Sequence, residues 1–133
     1  MNPKELRVKD IMRTEIQAVT KDMTLVAAAT MMRDNKVSSL VVEPEDDRDG
    51  YGIITRKDIV DALIEASLGG AFQLVEDVMT KPAITINPDM SIYNCQQMMR
   101  MIGVRRLPVV EGNDLKGILS NSDIFAWLAK EMA

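Results

Sequence analysis

Val8-Lys9-Asp10-Ile11-Met12 returns 67 residues later as Val75-Glu76-Asp77-Val78-Met79, and Gly52-Ile53-Ile54-Thr55-Arg56-Lys57-Asp58-Ile59 returns 65 residues later as Gly117-Ile118-Leu119-Ser120-Asn121-Ser122-Asp123-Ile124. Between these anchors Asp22-Met23 matches Asp89-Met90, and Met31-Met32-Arg33 matches Met98-Met99-Arg100. Aligning Val8 to Val42 with Val75 to Val109 gives 11 identities in 35 positions, against roughly two expected from average residue usage. The chain is therefore two copies of one unit. The copies are expected to divide as residues 1–68, with the lead-in, and 69–133, together forming one compact module. The change of offset marks a loop: the acidic stretch from Pro44 to Gly50 reads as a solvated turn whose charges need no functional explanation.

Each copy reads as strand, helix, strand, turn, strand, helix, an α+β pattern. Short strands are expected at Ile16 to Val19 and Ala83 to Ile86, followed by helices at Leu25 to about Asp34 and Ile92 to Ile102. Asp22 or Thr24, and Ser91, suit the helix starts; Asn35-Lys36 and Gly103 suit left-handed endings. Ser39 to Val42 and Leu107 to Val110 read as buried strands paired with Gly52 to Ile54 and Gly117 to Leu119. Final helices run from about Arg56 to Leu68, stopped by Gly69-Gly70, and from about Asn121 to Glu131. Met31, Met32, Met98, Met99 and Met101 cluster on the first helices, either as adaptable core filler where the copies meet or as a partner groove.

The 133 residues are 47% apolar and 27% charged, with five prolines and seven glycines, an ordinary globular composition. A net charge of −4 offers no global positive field for a phosphate polymer or an anionic membrane, so nucleic acid and membrane are not expected partners. There is no histidine and one cysteine, Cys95. A Ser-His-Asp triad, a Cys-His pair, a structural zinc site and an internal disulfide are thereby excluded within one chain. No stretch approaches the ~18 apolar residues of a membrane span, and no apolar leader follows Met1. A cytoplasmic location is expected.

The sharpest constellation is Gly-x-x-Thr/Ser-x-x-Asp, present as Gly52, Thr55, Asp58 and as Gly117, Ser120, Asp123. Hydroxyl-x-x-carboxylate at a helix start is close to a capping box, in which each side chain satisfies the other residue's backbone N–H. The same placement presents a hydroxyl and a carboxylate at a strand end beside a helix N-terminus, where an aspartate can accept hydrogen bonds from a ribose. Both readings stand on the residues alone. Adjacent carboxylates such as Asp46-Asp47 lie in a polar loop with no base or nucleophile nearby, which argues against an enzyme.

Taken in order and twice over, the lead-ins, Arg105-Arg106-Leu107-Pro108-Val109-Val110 and the two Gly-x-x-Thr/Ser-x-x-Asp segments resemble a tandem pair of CBS domains, the cystathionine beta-synthase domains that together form a Bateman module. The resemblance spans about Val8 to Trp127. It implies two small sheet-and-helix copies packed sheet to sheet about a pseudo-twofold axis, with two clefts for adenosine-containing ligands such as AMP, ADP, ATP or S-adenosylmethionine. By position, Asp58 and Asp123 would hold ribose, and Thr55 and Ser120 would approach ribose or phosphate. Ile16, Gln17 and Ala18, and Ala83, Ile84 and Thr85, would line adenine slots; Val37 and Ser38, and Val104 and Arg105, would complete the walls. Arg105 and Arg106 stand where the first copy has Ser38 and Ser39, so the clefts should be inequivalent: these arginines either fork onto phosphate or pair with the acidic surface. The resemblance puts the clefts between copies, so such a phosphate would belong to a ligand whose ribose either Asp58 or Asp123 holds.

The resemblance implies a regulatory sensor of adenine nucleotides, with no catalysis of its own, no required cofactor, and magnesium only as brought by ATP. With so little chain outside the resemblance, it is expected to act on an unidentified regulated protein in trans. The alternative is a ligand-free interaction module whose hydroxyl-carboxylate pairs are only caps. Apolar Ile59, Leu63, Ala66, Ile124, Phe125, Trp127 and Leu128 on the final helices point to a homodimer.

Overall fold

Two valines in polar segments, Val8 and Val75, open the lead-ins, and both are completely buried. The computed structural model shows what covers them; it describes Asn2, residues 4–66 and residues 73–131. Each lead-in is one short helical turn, α1 (Val8–Ile11) and α4 (Val75–Val78). The first copy continues with β1 (Ala18–Val19), α2 (Leu25–Asn35), β2 (Ser39–Val42), β3 (Gly52–Thr55) and α3 (Arg56–Ala66). The second continues with α5 (Ile92–Ile102), β4 (Arg106–Glu111), β5 (Asp114–Ser120) and α6 (Asn121–Glu131). The mixed helix-and-strand pattern of the sequence holds. Gly69-Gly70 and the expected helix end at Leu68 lie outside the described residues.

The long helices of both copies begin and end by the same chemistry. Thr24 accepts a hydrogen bond from the Ala27 N–H, and Ser91 from the Asn94 N–H, each at 3.1 Å. Lys36 and Gly103 close α2 and α5 in the left-handed conformation, at φ 56° and 81°, which frees the chain to turn into the next strand.

The compact units cut across the sequence repeats. One is Gln17–Ala83; the other joins Met1–Ile16 to Ile84–Ala133. We call them the central and terminal units. The first copy's lead-in thus belongs to the unit built from the second copy, and the second copy's lead-in to the unit built from the first. The backbone bonds show why. Val8 N–H donates to the Met90 carbonyl and Val75 N–H to the Met23 carbonyl, both at 2.8 Å. Arg13 exchanges two bonds with Ile118, at 2.9 and 3.0 Å, and Thr80 two with Ile53, both at 2.9 Å. The expected boundary between residues 68 and 69 is one of sequence repetition; the units follow where each lead-in finds its backbone and apolar partners.

In the central unit the sheet runs β1-β2-β3, parallel then antiparallel. Leu25, Ala28, Met32, Leu40, Val42, Ile54, Ile59 and Val75 form its core. The terminal unit pairs only β4 with β5, around a core that includes Val8, Ile92, Cys95, Met99, Leu107 and Leu119. The expected strand at Ala83 to Ile86 shrinks to one bridge, Ile86 to Val109. Pro108 is the reason. In the central unit the Val41 N–H donates to the Gln17 carbonyl; the equivalent of Val41 is Pro108, which has no N–H to offer Ile84. The methionines divide too: Met32 and Met99 are core, Met31 and Met98 pack against it, and Met101 is 86% exposed.

The acidic loop is tied down more firmly than a solvated turn. Asp49 accepts from Lys81 Nζ at 2.5 Å and from the Glu45 and Gly50 N–H groups. The lysine bond is the main reason its carboxyl is held below the ordinary range.

Close approach of the lead-ins explains the glycine that opens each Gly-x-x-Thr/Ser-x-x-Asp segment. A Cβ on Gly117 would lie 2.5 Å from the Arg13 carbonyl oxygen, whereas one on Gly52 would meet nothing closer than 3.2 Å. Gly117→Ala is expected to cost about 1–3 kcal/mol and Gly52→Ala less. Urea unfolding of both variants beside the parent protein checks the order, and an unshifted Gly117→Ala midpoint would contradict it.

Candidate functional site

Thr55 is the last residue of β3 and Asp58 lies in the first turn of α3; Ser120 and Asp123 occupy the same places on β5 and α6. Helix starts leave backbone N–H groups unpaired, and here the two side chains answer them reciprocally. Thr55 N–H donates to Asp58 Oδ2 at 2.9 Å and Asp58 N–H to Thr55 Oγ1 at 3.2 Å. In the terminal unit Ser120 N–H donates to Asp123 Oδ2 at 3.0 Å, and Asp123 N–H to Ser120 Oγ at 3.2 Å. The Ser120 hydroxyl adds a third bond, donating to Asp123 Oδ2 at 2.9 Å. Both segments are capping boxes. Each uses Oδ2 of its aspartate and leaves Oδ1 outside the box.

Wall residues are pinned to these boxes. Arg56 N–H donates to the Ser38 carbonyl at 2.9 Å, and Asn121 N–H to the Arg105 carbonyl at 2.7 Å. Half-buried Val37 and Ser38 therefore stand beside Thr55 and Asp58, and half-buried Val104 and exposed Arg105 beside Ser120 and Asp123. Arg106 lies directly across the ladder from Ser120, as Ser39 does from Thr55.

The expected adenine-lining residues are less uniform. Gln17 and Ala18 join the central sheet through β2, and half-buried Ala83 donates its N–H to the Tyr51 carbonyl at 2.7 Å. Ile16, Ile84 and Thr85 fall in the terminal unit. There Ile84 and Thr85 are exposed, as Ala18 is in the central unit, and Ile84 lacks the ladder bond that Gln17 accepts from Val41. The two sets of expected lining residues are thus built differently.

Sequence reading missed two groups. Arg13, from the first lead-in, puts its Nε 3.8 Å from Asp123 Oδ1; its counterpart beside the other box is Thr80. Only the backbone pairing with Ile118 reveals which aspartate Arg13 faces. The second group surrounds Asp58. A cleft of about 560 Å³ is lined by Asp58, Asp61, Glu65 and Asp77 together with Gln73, two alanines and Val78. Asp58, Asp61 and Glu65 recur at helical spacing on α3, a signal legible in the sequence; Asp77 joins them only through the exchanged lead-in. Lys57 Nζ, 2.6 Å from Asp61 Oδ2, partly offsets this charge. Among the described residues no group of His, Cys, Asp and Glu is arranged to hold a metal ion. Cys95 is buried, and desolvation pushes its thiol up to about 11, which makes it a poor nucleophile. No helix among the described residues is long and apolar enough to cross a membrane.

A family model described as the CBS domain matches residues 8–65 and 75–130. The CBS domain-containing protein YhcV of Bacillus subtilis is 33% identical over 120 residues, covering 88% of this chain and 81% of its own length. The hexameric CBS-CP12 protein from bloom-forming cyanobacteria superposes with a TM-score of 0.86 at 31% identity, over 90% of this chain and 66% of that one. The CBS domain pair of MJ0100, solved with 5′-methylthioadenosine and S-adenosyl-L-methionine, shares the fold with a TM-score of 0.82 at 24% identity, over 94% and 97% of the two chains. The chain spans 62%, 32% and 23% of the lengths of three other relatives it matches.

The capping geometry has its own consequence. Asp123→Ala should destabilise the ligand-free protein by about 1 kcal/mol, seen as a lowered urea midpoint; a loss of several kcal/mol would mean that Asp123 supports more than the start of α6.

Proposed function

Because the chain belongs to the CBS domain family, we propose that it is a regulatory module that binds an adenosine-containing ligand, AMP, ADP, ATP or S-adenosylmethionine, and acts on a partner protein in trans without catalysis of its own. The observation that carries this reading is the doubled box: a hydroxyl and a half-buried aspartate at a strand end, with Oδ2 committed to the box and Oδ1 outside it. A carboxylate oriented by a backbone N–H is prepared to accept a ribose hydroxyl without first losing side-chain entropy. The MJ0100 pair, of the same fold, holds adenosine ligands, which supports that ligand class here. Magnesium would arrive with ATP, coordinated mainly by its phosphate oxygens and water.

Calorimetric titration with AMP, with ATP in the presence and absence of magnesium, and with S-adenosylmethionine tests the proposal, with Asp58→Ala and Asp123→Ala alongside. Micromolar binding that one or both substitutions abolish is expected. Silence for every ligand, from folded protein freed of nucleotide, would overturn it.

A second reading, an interaction module with empty sites, is favoured by the self-satisfied boxes and by apolar side chains left in solvent. Of the residues expected at a homodimer face, Ile59 and Ile124 are core, and Leu63 and Trp127 pack against it. Ile64 on α3 is 76% exposed and Phe125 on α6 70% exposed, with Val60 and Leu128 beside them in sequence. On each helix two apolar side chains about one turn apart are thus left in solvent, the kind of surface that a partner covers, and we propose a homodimer. Light scattering at micromolar concentration should give about twice the 14.8 kDa of one chain; a monomer mass would refute self-association.

A further inference from the structure

Thr55 and Ser120 head equivalent boxes, but the side chains around them differ in charge. Directly opposed residues of an antiparallel ladder share a face, so Ser39 flanks Thr55 where Arg106 flanks Ser120. The lead-ins repeat the contrast: Thr80 is bonded to Ile53 beside one box, and Arg13 to Ile118 beside the other. Arg13 is held at its base by those two backbone bonds over Gly117, while its side chain is 56% exposed and reaches Asp123. An ion pair at 3.8 Å with that exposure adds little stability. Its consequence is one of placement: a guanidinium stands beside the carboxylate that would hold a ribose.

Around Asp58 the sign reverses. Asp61, Glu65 and Asp77 share its cleft, whereas their counterparts in the repeat are Ala126, Lys130 and Asp10. The cations at the start of α3 are Arg56 and Lys57, and Lys57 is engaged by Asp61. A phosphate there would face four carboxylates, and like charges in one cleft are costly.

We propose that the two sites are divided by charge: Ser120–Asp123 accepts 5′-phosphorylated adenosine through Arg13, and Thr55–Asp58 accepts adenosine ligands that carry no phosphate. This rests on the adenosine reading above and adds the ligand class of each site. Arg13 is the specificity-determining residue, because the paired backbone fixes it to one site only and the equivalent position holds a neutral threonine.

The test is titration of the full chain with AMP and with adenosine at low salt, in an Asp58→Ala background that leaves only Ser120–Asp123 to be read. AMP should bind more tightly than adenosine. Arg13→Thr should weaken AMP about tenfold, the scale of one charged hydrogen bond, and leave adenosine unchanged, while Arg13→Lys keeps part of the preference. Added salt should weaken AMP alone. In the reciprocal Asp123→Ala protein, adenosine should still bind and AMP should not. Threonine at position 13 keeps the backbone bonds, and an unfolding curve confirms that the variant is native. Equal losses for both ligands, or no loss for AMP, would overturn the charge division while the adenosine reading stands. Failure of the parent protein to bind either ligand would overturn both.

Discussion

Two pairs of backbone hydrogen bonds, Arg13 with Ile118 and Thr80 with Ile53, set the plan of this molecule. Each draws a lead-in from one copy onto a strand of the other, and each passes over a glycine whose missing side chain makes room. Once the lead-ins are exchanged, Val8 and Val75 are buried in units whose remaining elements come from the other copy. Neither unit can then be assembled from a contiguous repeat. Burying a valine stabilises by about 1.5–3 kcal/mol, and the ladder bonds keep buried backbone groups paired, so the exchange is supported both by packing and by polar satisfaction.

The exchange also writes asymmetry into a duplicated protein. A residue at the end of a lead-in stands near the hydroxyl-carboxylate box of the unit it joins. Threonine ends one lead-in and arginine the other, so two boxes with nearly the same internal geometry acquire different surroundings. Pro108 adds a second difference: by removing one N–H it shortens a ladder and leaves Ile84 and Thr85 outside it, whereas Gln17 and Ala18 on the other copy remain paired. Small substitutions at backbone-critical places thus separate two sites that descend from one pattern.

The boxes themselves reconcile two readings that compete on sequence alone. A capping box and a ribose clamp need the same residues at the same spacing. In the structure the cap occupies Oδ2 of each aspartate, through the backbone N–H of Thr55 or Ser120. A carboxylate has a second oxygen, so holding the helix start and facing a ligand are compatible tasks. The structural role would also prepare a binding role, because an aspartate fixed by its own helix has less freedom to lose.

Much of this was legible in the chain before folding. The repeat, the helices with their Thr24, Ser91, Lys36 and Gly103 ends, the paired strands and the boxes all follow from interactions within a few residues, where local sequence carries the physics. The position of Pro108 was equally visible, but its effect was not, since a missing N–H matters only against the strand it would have met. The same holds for Arg13 and Asp77. Their partners lie in the other copy, 110 and 19 residues away, as Asp123 and Asp58, and no spacing rule links them. Sequence by itself determined the elements, the duplication and the two candidate boxes, because these are local. Tertiary structure decided which lead-in joins which unit and therefore which charges stand at each box, because that depends on long-range backbone pairing and on the space left by two glycines.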